Sequence, residues 1–277
     1  MLVKNAMPVP NWAMRNIIES TKVKDVDCND QYIETFSNWI TSSKNNQLLN
    51  LDLYKNIKFC HGTIQAFDHF YIRYNTRRFR FFKGDFVYHR VVAKNRLNWK
   101  WLDDAPLDNN DAVIISVPFS DIGSVHPNLE TILQQAELKN IPVLLDFAYY
   151  GITKGINLDL GYSCIDTITF SISKAFDGSQ YLRCGVRFQR ENLDDGIDIQ
   201  TDVLMLPRAS MQKSIILMEN FNADYNWNTY NTKYYEICQQ YNLQPTNTVI
   251  FGLGDDKYFD YNRGGNVNRV CISNALV

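Results

Sequence analysis

The chain has 277 residues, of which 45% are hydrophobic, and a formal net charge of −2. This composition supports a sizeable core and excludes a disordered chain, and the charge gives no basic surface for nucleic acid. Because no segment has the roughly 20 apolar residues of a membrane span and the N-terminus lacks a signal-peptide core, we expect a cytoplasmic protein without membrane or nucleic-acid partners.

Six cysteines are scattered along the chain: Cys28, Cys60, Cys164, Cys184, Cys238 and Cys271. They contain no CxxC pair and no spacing typical of a metal site, so we expect no bound metal. In a chain of this length such cysteines indicate reduced and mostly buried thiols.

The first part of the chain is predicted to be helical up to about residue 50. One amphipathic helix is expected over Gln31–Ser42, where apolar residues recur at helical spacing. A short strand over Ile57–Cys60 then leads into a helix that continues to about Tyr74. A second strand is predicted over Asp85–Tyr88.

From Asp111 onward the pattern is regular. Three apolar runs predict strands over Ala112–Val117, Ile141–Leu145 and Thr167–Ile172, and good helix formers predict a helix over Leu129–Asn140. Strands that are continuously apolar, rather than alternating, are typical of a parallel sheet covered on both faces. We therefore predict an α/β fold, with a mostly parallel sheet and helices on both faces.

After Pro207 the pattern changes to a long helical stretch, predicted over about Ala209–Tyr241. Two further strands are expected over Thr248–Phe251 and Val267–Ser273. These elements predict a small C-terminal α+β domain. The predicted division is an N-terminal helical segment over 1–50, a large α/β domain over 51–207, and the long helix with the small domain over 208–277.

Several residues capable of chemistry follow the predicted strands. In open α/β sheets, ligands bind beyond the carboxyl ends of the strands, and there the sequence places Gly62-Thr63, Asp146, Tyr149 and Lys174. Each has an ordinary structural explanation when taken alone: a helix start, a turn cap, a core tyrosine and a surface lysine. Their coincidence at neighbouring strand ends predicts one functional site.

Three segments in order resemble a known family: IPVLLDFAYYG at Ile141–Gly151, TITFSISKAF at Thr167–Phe176 and LRCGVRF at Leu182–Phe188. Over roughly residues 55 to 190 the chain resembles the fold-type I enzymes that use pyridoxal 5′-phosphate (PLP), and specifically the class I/II aminotransferases. The resemblance implies PLP as the cofactor.

The resemblance also implies roles for individual residues. Lys174 would bind PLP as a Schiff base and then act as acid and base. Asp146 would pair with the protonated pyridine nitrogen, and Tyr149 would hydrogen-bond the phenolic oxygen of the ring. The phosphate would be held by Arg183 and Ser171.

The helix start at Gly62, Thr63 and Ile64 would bind the same phosphate through backbone N–H groups. Near the C-terminus, NVNRVCIS at Asn266–Ser273 resembles the strand whose arginine grips the α-carboxylate of the substrate, a role that falls on Arg269. A surface ion pair is an equally good explanation of Arg269.

Other positions depart from the family pattern. The asparagine that bonds the ring oxygen is replaced by Ser120 in VPFSDIG, Val117–Gly123. The aromatic residue that stacks on the ring falls on Tyr88 or His89, of which we favour His89. Tyr32 is a weaker candidate for contact with a neighbouring subunit's phosphate.

The resemblance implies an aminotransferase that moves an amino group between an α-amino acid and a keto acid, as a homodimer with shared active sites. Two alternatives stay open. The chain could catalyse another PLP reaction, as a lyase, decarboxylase or acyl-transferring synthase, because these enzymes share the same cofactor residues. It could instead be a degenerate, non-catalytic protein with the same fold.

Overall fold

The structure, a computed structural model, describes residues 2–277 without the side chains of residues 93–96. The helices are α1 Trp12–Ser20, α2 Asn29–Thr41, α3 Thr63–Arg73, α4 Val87–Arg96, α5 Leu129–Leu138, α6 Gly196–Asp202, α7 Arg208–Asn220 and α8 Tyr225–Gln240. The strands are β1 Gln47–Leu49, β2 Asn56–Cys60, β3 Arg78–Phe81, β4 Trp99–Trp101, β5 Asp111–Ser116, β6 Val143–Phe147, β7 Asn157–Asp159, β8 Ile165–Ser171, β9 Gly185–Gln189, β10 Gln244–Pro245, β11 Phe251–Gly254 and β12 Asn268–Cys271.

The central sheet has seven strands in the order β2-β9-β8-β6-β5-β3-β4. Strands β4, β3, β5, β6 and β8 run parallel, and β9 runs antiparallel to both of its neighbours. Every residue of β5 and β6 is buried, as expected for central strands that have helices on both faces. The prediction of a mostly parallel α/β sheet is confirmed.

A second, three-stranded antiparallel sheet in the order β10-β11-β12 lies in the C-terminal part of the chain. Its core contains Tyr234, Val249 and Val270, all of which are buried. The start of the chain joins this sheet, because Val3 forms an antiparallel bridge with Cys271. The prediction of a small C-terminal sheet is confirmed.

Helices α2 and α7 pack together against the core of the large sheet. Trp39 of α2 and Met211 of α7 belong to the same hydrophobic cluster, and the indole N–H of Trp39 donates to the carbonyl of Phe221 at 2.9 Å. Helix α2 belongs to the predicted N-terminal segment over 1–50, and α7 belongs to the predicted C-terminal part over 208–277. Their packing therefore joins these two parts of the chain.

The predicted strand over Asp85–Tyr88 is wrong, because the strand lies at β3 and Val87 begins α4. Two of the four residues of β3 are arginines, so its sequence does not show the apolar run expected of a buried strand. Arg80 is completely buried, with its guanidinium paired to Asp111 at 2.5 Å and bonded to several backbone carbonyls. Buried charges are stable only when paired in this way, and a hydrophobic pattern does not indicate them.

The predicted long helix over Ala209–Tyr241 is also wrong, because it is two helices separated at residues 221–224. Phe221 has extended backbone angles. Asp224 then accepts hydrogen bonds from Ser43 and from the backbone N–H groups of Lys44 and Asn45. The last strands are confirmed with shifted bounds, since β11 begins at Phe251 instead of Thr248.

All six cysteines are buried and free, as predicted. Within residues 2–277, no helix is both long and apolar enough to cross a membrane.

Candidate active site

A cavity of about 270 Å³ opens at the carboxyl ends of the central strands. Nine of the predicted site residues line it: Gly62, Thr63, Ile64, Ser120, Asp146, Tyr149, Ser171, Lys174 and Arg183. They come from strand ends, from loops and from the start of α3, which are distant in sequence and are brought together by the fold of the sheet. Two predicted residues, His89 and Arg269, do not line the cavity.

Lys174 lies in a tight turn that directly follows β8. The carbonyl of Ile172 accepts hydrogen bonds from the N–H groups of Ala175 and Phe176, and Asn226 of α8 donates to the carbonyl of Ala175 at 2.7 Å. Burial lowers the pKa of Lys174 from its ordinary value. Its amine is therefore less protonated than a surface lysine and better suited to act as a nucleophile.

Asn226 also holds the second loop of the site. Its side-chain N–H groups donate to the carbonyl of Gly151 at 3.0 Å as well as to that of Ala175. One buried amide of α8 thus ties the loop after β6 to the loop after β8. Sequence reasoning missed Asn226, because an asparagine within a helix carries no signal of its tertiary contacts.

Asp146 stands at the end of β6 and is almost completely buried. One carboxylate oxygen accepts a hydrogen bond from the N–H of Ala148 at 3.0 Å. Burial raises the pKa of Asp146 to about 8, and the nearby charge of Asp85 contributes. In the part of the chain that the structure describes, no cationic side chain forms an ion pair with Asp146, so a cation in the cavity would stabilise its ionised form.

Asp85 is a second buried carboxylate, which the sequence analysis did not identify as part of the site. It accepts hydrogen bonds from the Ser116 hydroxyl at 2.5 Å and from the backbone N–H groups of Ser116 and Phe86. Ser116 and Phe86 both line the cavity. Asp85 therefore fixes two elements of the cavity wall without entering it.

Tyr149 is a further titratable residue of the cavity wall. Burial opposes ionisation of its phenol, yet its pKa is lowered because positive charges surround it, those of Arg269, Arg263 and Lys174. The nearby hydroxyl of Ser120 also favours the ionised phenol. A phenol in this setting can donate to, or share a proton with, a ligand oxygen.

The third side of the cavity is built to receive an anion. Gly62 precedes α3 with φ +70°, and no side chain caps the helix there, so the first N–H groups of α3 are available to a ligand. Arg183, which has φ +57°, donates to the carbonyl of His61 at 3.3 Å. A Cβ on Gly62 would lie 3.2 Å from the Arg183 guanidinium, so glycine permits this close approach.

The prediction of His89 as the stacking residue is corrected. His89 is completely buried, its ring lies 4.7 Å from that of Phe67, and its Nδ1 is 2.7 Å from the hydroxyl of Tyr71. Burial lowers its pKa to about 3. Phe86 lines the cavity instead, and the error arose because the preceding strand was placed too late in the sequence.

Tyr32 is likewise not free to reach a partner. It is fully buried, and its hydroxyl donates to the carbonyl of Gly185 at 3.1 Å. The apolar face of α2 buries it, in edge-to-face contact with Phe36 and Phe59.

Arg269 is completely buried beside the cavity, so a surface ion pair is excluded. Its guanidinium donates to the carbonyls of Ser120 and Lys4 and lies 3.9 Å from the ring centroid of Phe251. Its Nε has no hydrogen-bond partner among the described residues. Arg263, which sequence reasoning missed, lines the cavity and donates to the Ser120 hydroxyl at 3.3 Å.

Comparison with solved structures shows what this arrangement resembles. Tyrosine aminotransferase from Leishmania infantum superimposes with a TM-score of 0.67 at 13% identity, over 98% of this chain and 89% of the other. The chain has the fold of the fold-type I aminotransferases. A PLP-bound C-S lyase from Staphylococcus hominis in complex with L-cycloserine gives 0.67 at 13% identity, over 100% and 84% of the chains.

Alanine aminotransferase from Pyrococcus furiosus gives a TM-score of 0.60 at 14% identity, over 95% of this chain and 93% of the other. No family model and no curated protein sequence matches the chain significantly. At these identities the comparisons establish the fold, which also carries more than one reaction, since both aminotransferases and a C-S lyase share it.

Proposed function

We propose that the chain binds PLP as a Schiff base on Lys174 and acts as an aminotransferase on an α-amino acid and a keto acid. The observation that carries the proposal is the convergence of Lys174, Asp146 and Tyr149 in one cavity with a helix N-terminus and Arg183. Solved proteins of the same fold, such as the C-S lyase, are PLP-bound.

The residues of the cavity fit the cofactor group by group. Asp146 is a buried carboxylate without a cationic side-chain partner among the described residues, and a protonated pyridine nitrogen would supply that cation. The opening of α3 at Gly62, with Arg183 and Ser171 beside it, fits a phosphate. Phe86 lines the same cavity and would be the aromatic residue that covers one face of the ring.

When bound, PLP withdraws the electrons of a bond broken at the substrate Cα into its ring. The chain's own residues provide the rest. The amine of Lys174, with its lowered pKa, can remove the Cα proton and return it elsewhere. Asp146 would keep the ring nitrogen protonated, and Tyr149 would hydrogen-bond the ring oxygen.

Arg269 is the candidate for the substrate's α-carboxylate. A buried guanidinium without a carboxylate partner is energetically unfavourable, and within residues 2–277 no carboxylate lies within ion-pair distance of Arg269. An anion on the cavity side of Ser120 would offset that charge. In this proposal Ser120 is the residue between Arg269 and the substrate.

The proposal is tested by titrating the purified protein with PLP and recording its near-visible absorption. The wild type is expected to show a Schiff-base band that Lys174→Ala lacks. Lys154→Ala is the matched control, because Lys154 lies over the ring of Trp227 at 4.3 Å and outside the cavity. No band in the wild type would reject PLP binding.

Amino-acid and keto-acid pairs are then screened for transfer of the amine. Release of a keto acid together with amination of the second keto acid supports an aminotransferase. Formation of pyruvate and a thiol from a sulfur amino acid, without transfer, would instead indicate a lyase. No turnover by the PLP-bound protein would favour a degenerate protein.

We also propose a cytoplasmic homodimer. Tyr181, two residues before Arg183 in the sequence, is 81% exposed. Met205 is 73% exposed, and its carbonyl accepts a hydrogen bond from Gln200, which also bonds His61. Exposed apolar surface is typical of protein–protein contacts when it is contiguous, and these side chains are the candidates for such a contact. Light scattering during gel filtration tests the assembly: a mass of one chain would contradict it.

A further inference from the structure

We propose that Asp85 is a positioning residue for one proton of the site, which it keeps on Asp146 in the apoprotein and on the ring nitrogen in the PLP-bound protein. Its effect on the PLP-bound protein rests on the proposed function, whereas its effect on Asp146 in the apoprotein does not. Asp85 does not itself line the main cavity, so it acts through Asp146.

One serine brings two buried carboxylates together. Asp85 is 7% exposed, and Asp146 is 4% exposed. Asp85 accepts hydrogen bonds from the hydroxyl of Ser116 at 2.5 Å and from its backbone N–H at 3.2 Å. In the central sheet, Ser116 of β5 is paired in register with Asp146 of β6. Neighbouring carboxylates oppose each other's ionisation, and burial opposes both, so the pair keeps one proton at a pH where an exposed carboxyl group has lost its own.

The hydrogen bonds of Asp85 favour its ionised form. Besides the two from Ser116, it accepts one from the N–H of Phe86 at 2.7 Å. The hydroxyl oxygen of Ser116 accepts from the N–H of Ser120 at 2.9 Å, so the hydroxyl proton is directed to Asp85. Three donors on one carboxylate stabilise its negative charge. Asp85 is therefore the member of the pair that is ionised.

Asp146 has less support for a negative charge. It accepts one backbone hydrogen bond, from Ala148 at 3.0 Å, and the hydroxyl of Thr63 also favours its ionised form. Burial and the charge of Asp85 raise its pKa to about 8. The nearby thiol of Cys60 is neutral, because burial raises its pKa to about 12. The proton of the pair therefore lies on Asp146, which lines the cavity.

The other charged and titratable groups around Asp85 keep this order. Burial raises the pKa of Asp85, and its three hydrogen bonds and the guanidinium of Arg263 oppose that rise. The phenol of Tyr71 is neutral, because burial holds its pKa well above the usual value. Burial raises the pKa of Asp121 to about 6, and the charge of Asp85 contributes. Asp121 is therefore already ionised when Asp146 titrates, so its charge does not change there.

The charge of Asp85 acts in the same direction once PLP is bound. Asp146 would give up its proton to an unprotonated ring nitrogen, or to water where the nitrogen already carries one, so one proton remains between the two groups. Asp85 adds a second negative charge behind Asp146, and negative charge stabilises a protonated nitrogen. Asp85 thus raises the pH at which that nitrogen loses its proton.

The apoprotein is tested by infrared spectroscopy, because a protonated carboxyl group has a carbonyl band that shifts in heavy water. The wild type is expected to lose one such band near pH 8, and Asp146→Asn is expected to lack it. In Asp85→Asn the band should persist and be lost about one pH unit lower, because the neighbouring charge is absent. The result for Asp146→Asn locates the proton even if Asp85→Asn does not fold.

Asp121→Asn is the matched control. Asp121 is also buried and follows the cavity residue Ser120 in the chain, but the carboxylate whose charge raises the pKa of Asp146 is Asp85. The infrared midpoint of this variant is expected to equal that of the wild type. A shift as large as in Asp85→Asn would overturn the inference, because any buried carboxylate beside the cavity would then have the same effect.

The PLP-bound protein is tested with PLP that carries ¹⁵N in its ring, whose NMR signal reports the protonation of that nitrogen. The nitrogen is expected to lose its proton about one pH unit lower in Asp85→Asn than in the wild type or Asp121→Asn. A purely structural role of Asp85 would weaken PLP binding without moving this titration.

Equal infrared midpoints in the wild type and Asp85→Asn would overturn the inference. So would a band near pH 8 that persists in Asp146→Asn and is lost in Asp85→Asn, because the proton would then lie on Asp85. Failure of the wild type to bind PLP would overturn the proposed function, and the infrared titration would still decide the inference for the apoprotein.

Discussion

Gly62 and Arg183 are in close contact at the phosphate-sized end of the cavity: a Cβ on Gly62 would lie 3.2 Å from Arg183 Nη2. Gly62 has φ +70°, and Arg183 itself has φ +57°. Positive φ in a residue other than glycine is uncommon and is concentrated at functional sites. Arg183 is such a residue, and its contact with Gly62 leaves no room for a side chain at position 62 at this end of the cavity.

Gly62→Ala is therefore expected to weaken PLP binding about tenfold, because the methyl group strains the backbone and displaces the guanidinium of Arg183. Equilibrium titration monitored by absorption measures this. Gly155→Ala is the matched control: Gly155 has φ +75° but contacts Asn247 outside the cavity. Both variants should lose about 1–2 kcal/mol of stability, and only Gly62→Ala should lose affinity. Equal affinities would contradict the assignment.

Asp146 gives a prediction about pH. Its folded-state pKa is raised to about 8, above the value of about 3.9 expected in an unfolded chain. Between these values the folded state binds the extra proton, so Asp146 makes the free energy of unfolding of the apoprotein fall as pH rises from about 4 to about 8. Asp146→Asn should flatten that fall, which denaturant titrations at several pH values would measure.

PLP should reduce the same pH dependence in the wild type, because a protonated ring nitrogen stabilises ionised Asp146. The part of the decline that comes from Asp85, whose pKa is also raised by burial, should remain. Identical curves for wild type and Asp146→Asn would show that Asp146 is not the titrating group.

Substitutions of Phe86 and His89 distinguish the residue that contacts PLP from the residue that is buried in the core. Phe86→Leu is expected to raise the dissociation constant for PLP about fivefold, since aromatic stacking contributes roughly 1 kcal/mol. His89→Leu removes the bond to Tyr71, so it should lower the melting temperature and leave the affinity for PLP unchanged. Thermal melts and PLP titrations on both variants check this. Loss of affinity in His89→Leu alone would restore His89 as the stacking residue.

Much of the site could be predicted from sequence because it lies in short segments with strong local signals. Asp146, Tyr149 and Lys174 follow strands β6 and β8, whose apolar runs are unambiguous, and the sheet brings them together. The same reasoning placed Gly62 at the start of α3. The positions of these residues in the site can be predicted once the ends of the strands are predicted correctly.

The parts that sequence reasoning missed depend on contacts made across the fold. β3 was misplaced because its charged residues pair with Asp111, Arg80 in the protein interior. That error moved the predicted stacking position to the buried His89, whereas Phe86 lines the cavity. Arg263 and Asn226 lie in a loop and a helix whose positions over the cavity are set by tertiary packing. Such tertiary contacts cannot be predicted from a local sequence pattern.

Covalent attachment of PLP to Lys174 can be tested by reductive trapping. The PLP-loaded protein is treated with borohydride and digested, and its peptides are analysed by mass spectrometry. One pyridoxyl phosphate adduct is expected on Lys174, absent in Lys174→Ala and present in Lys154→Ala. An adduct on another lysine, or none, would contradict it.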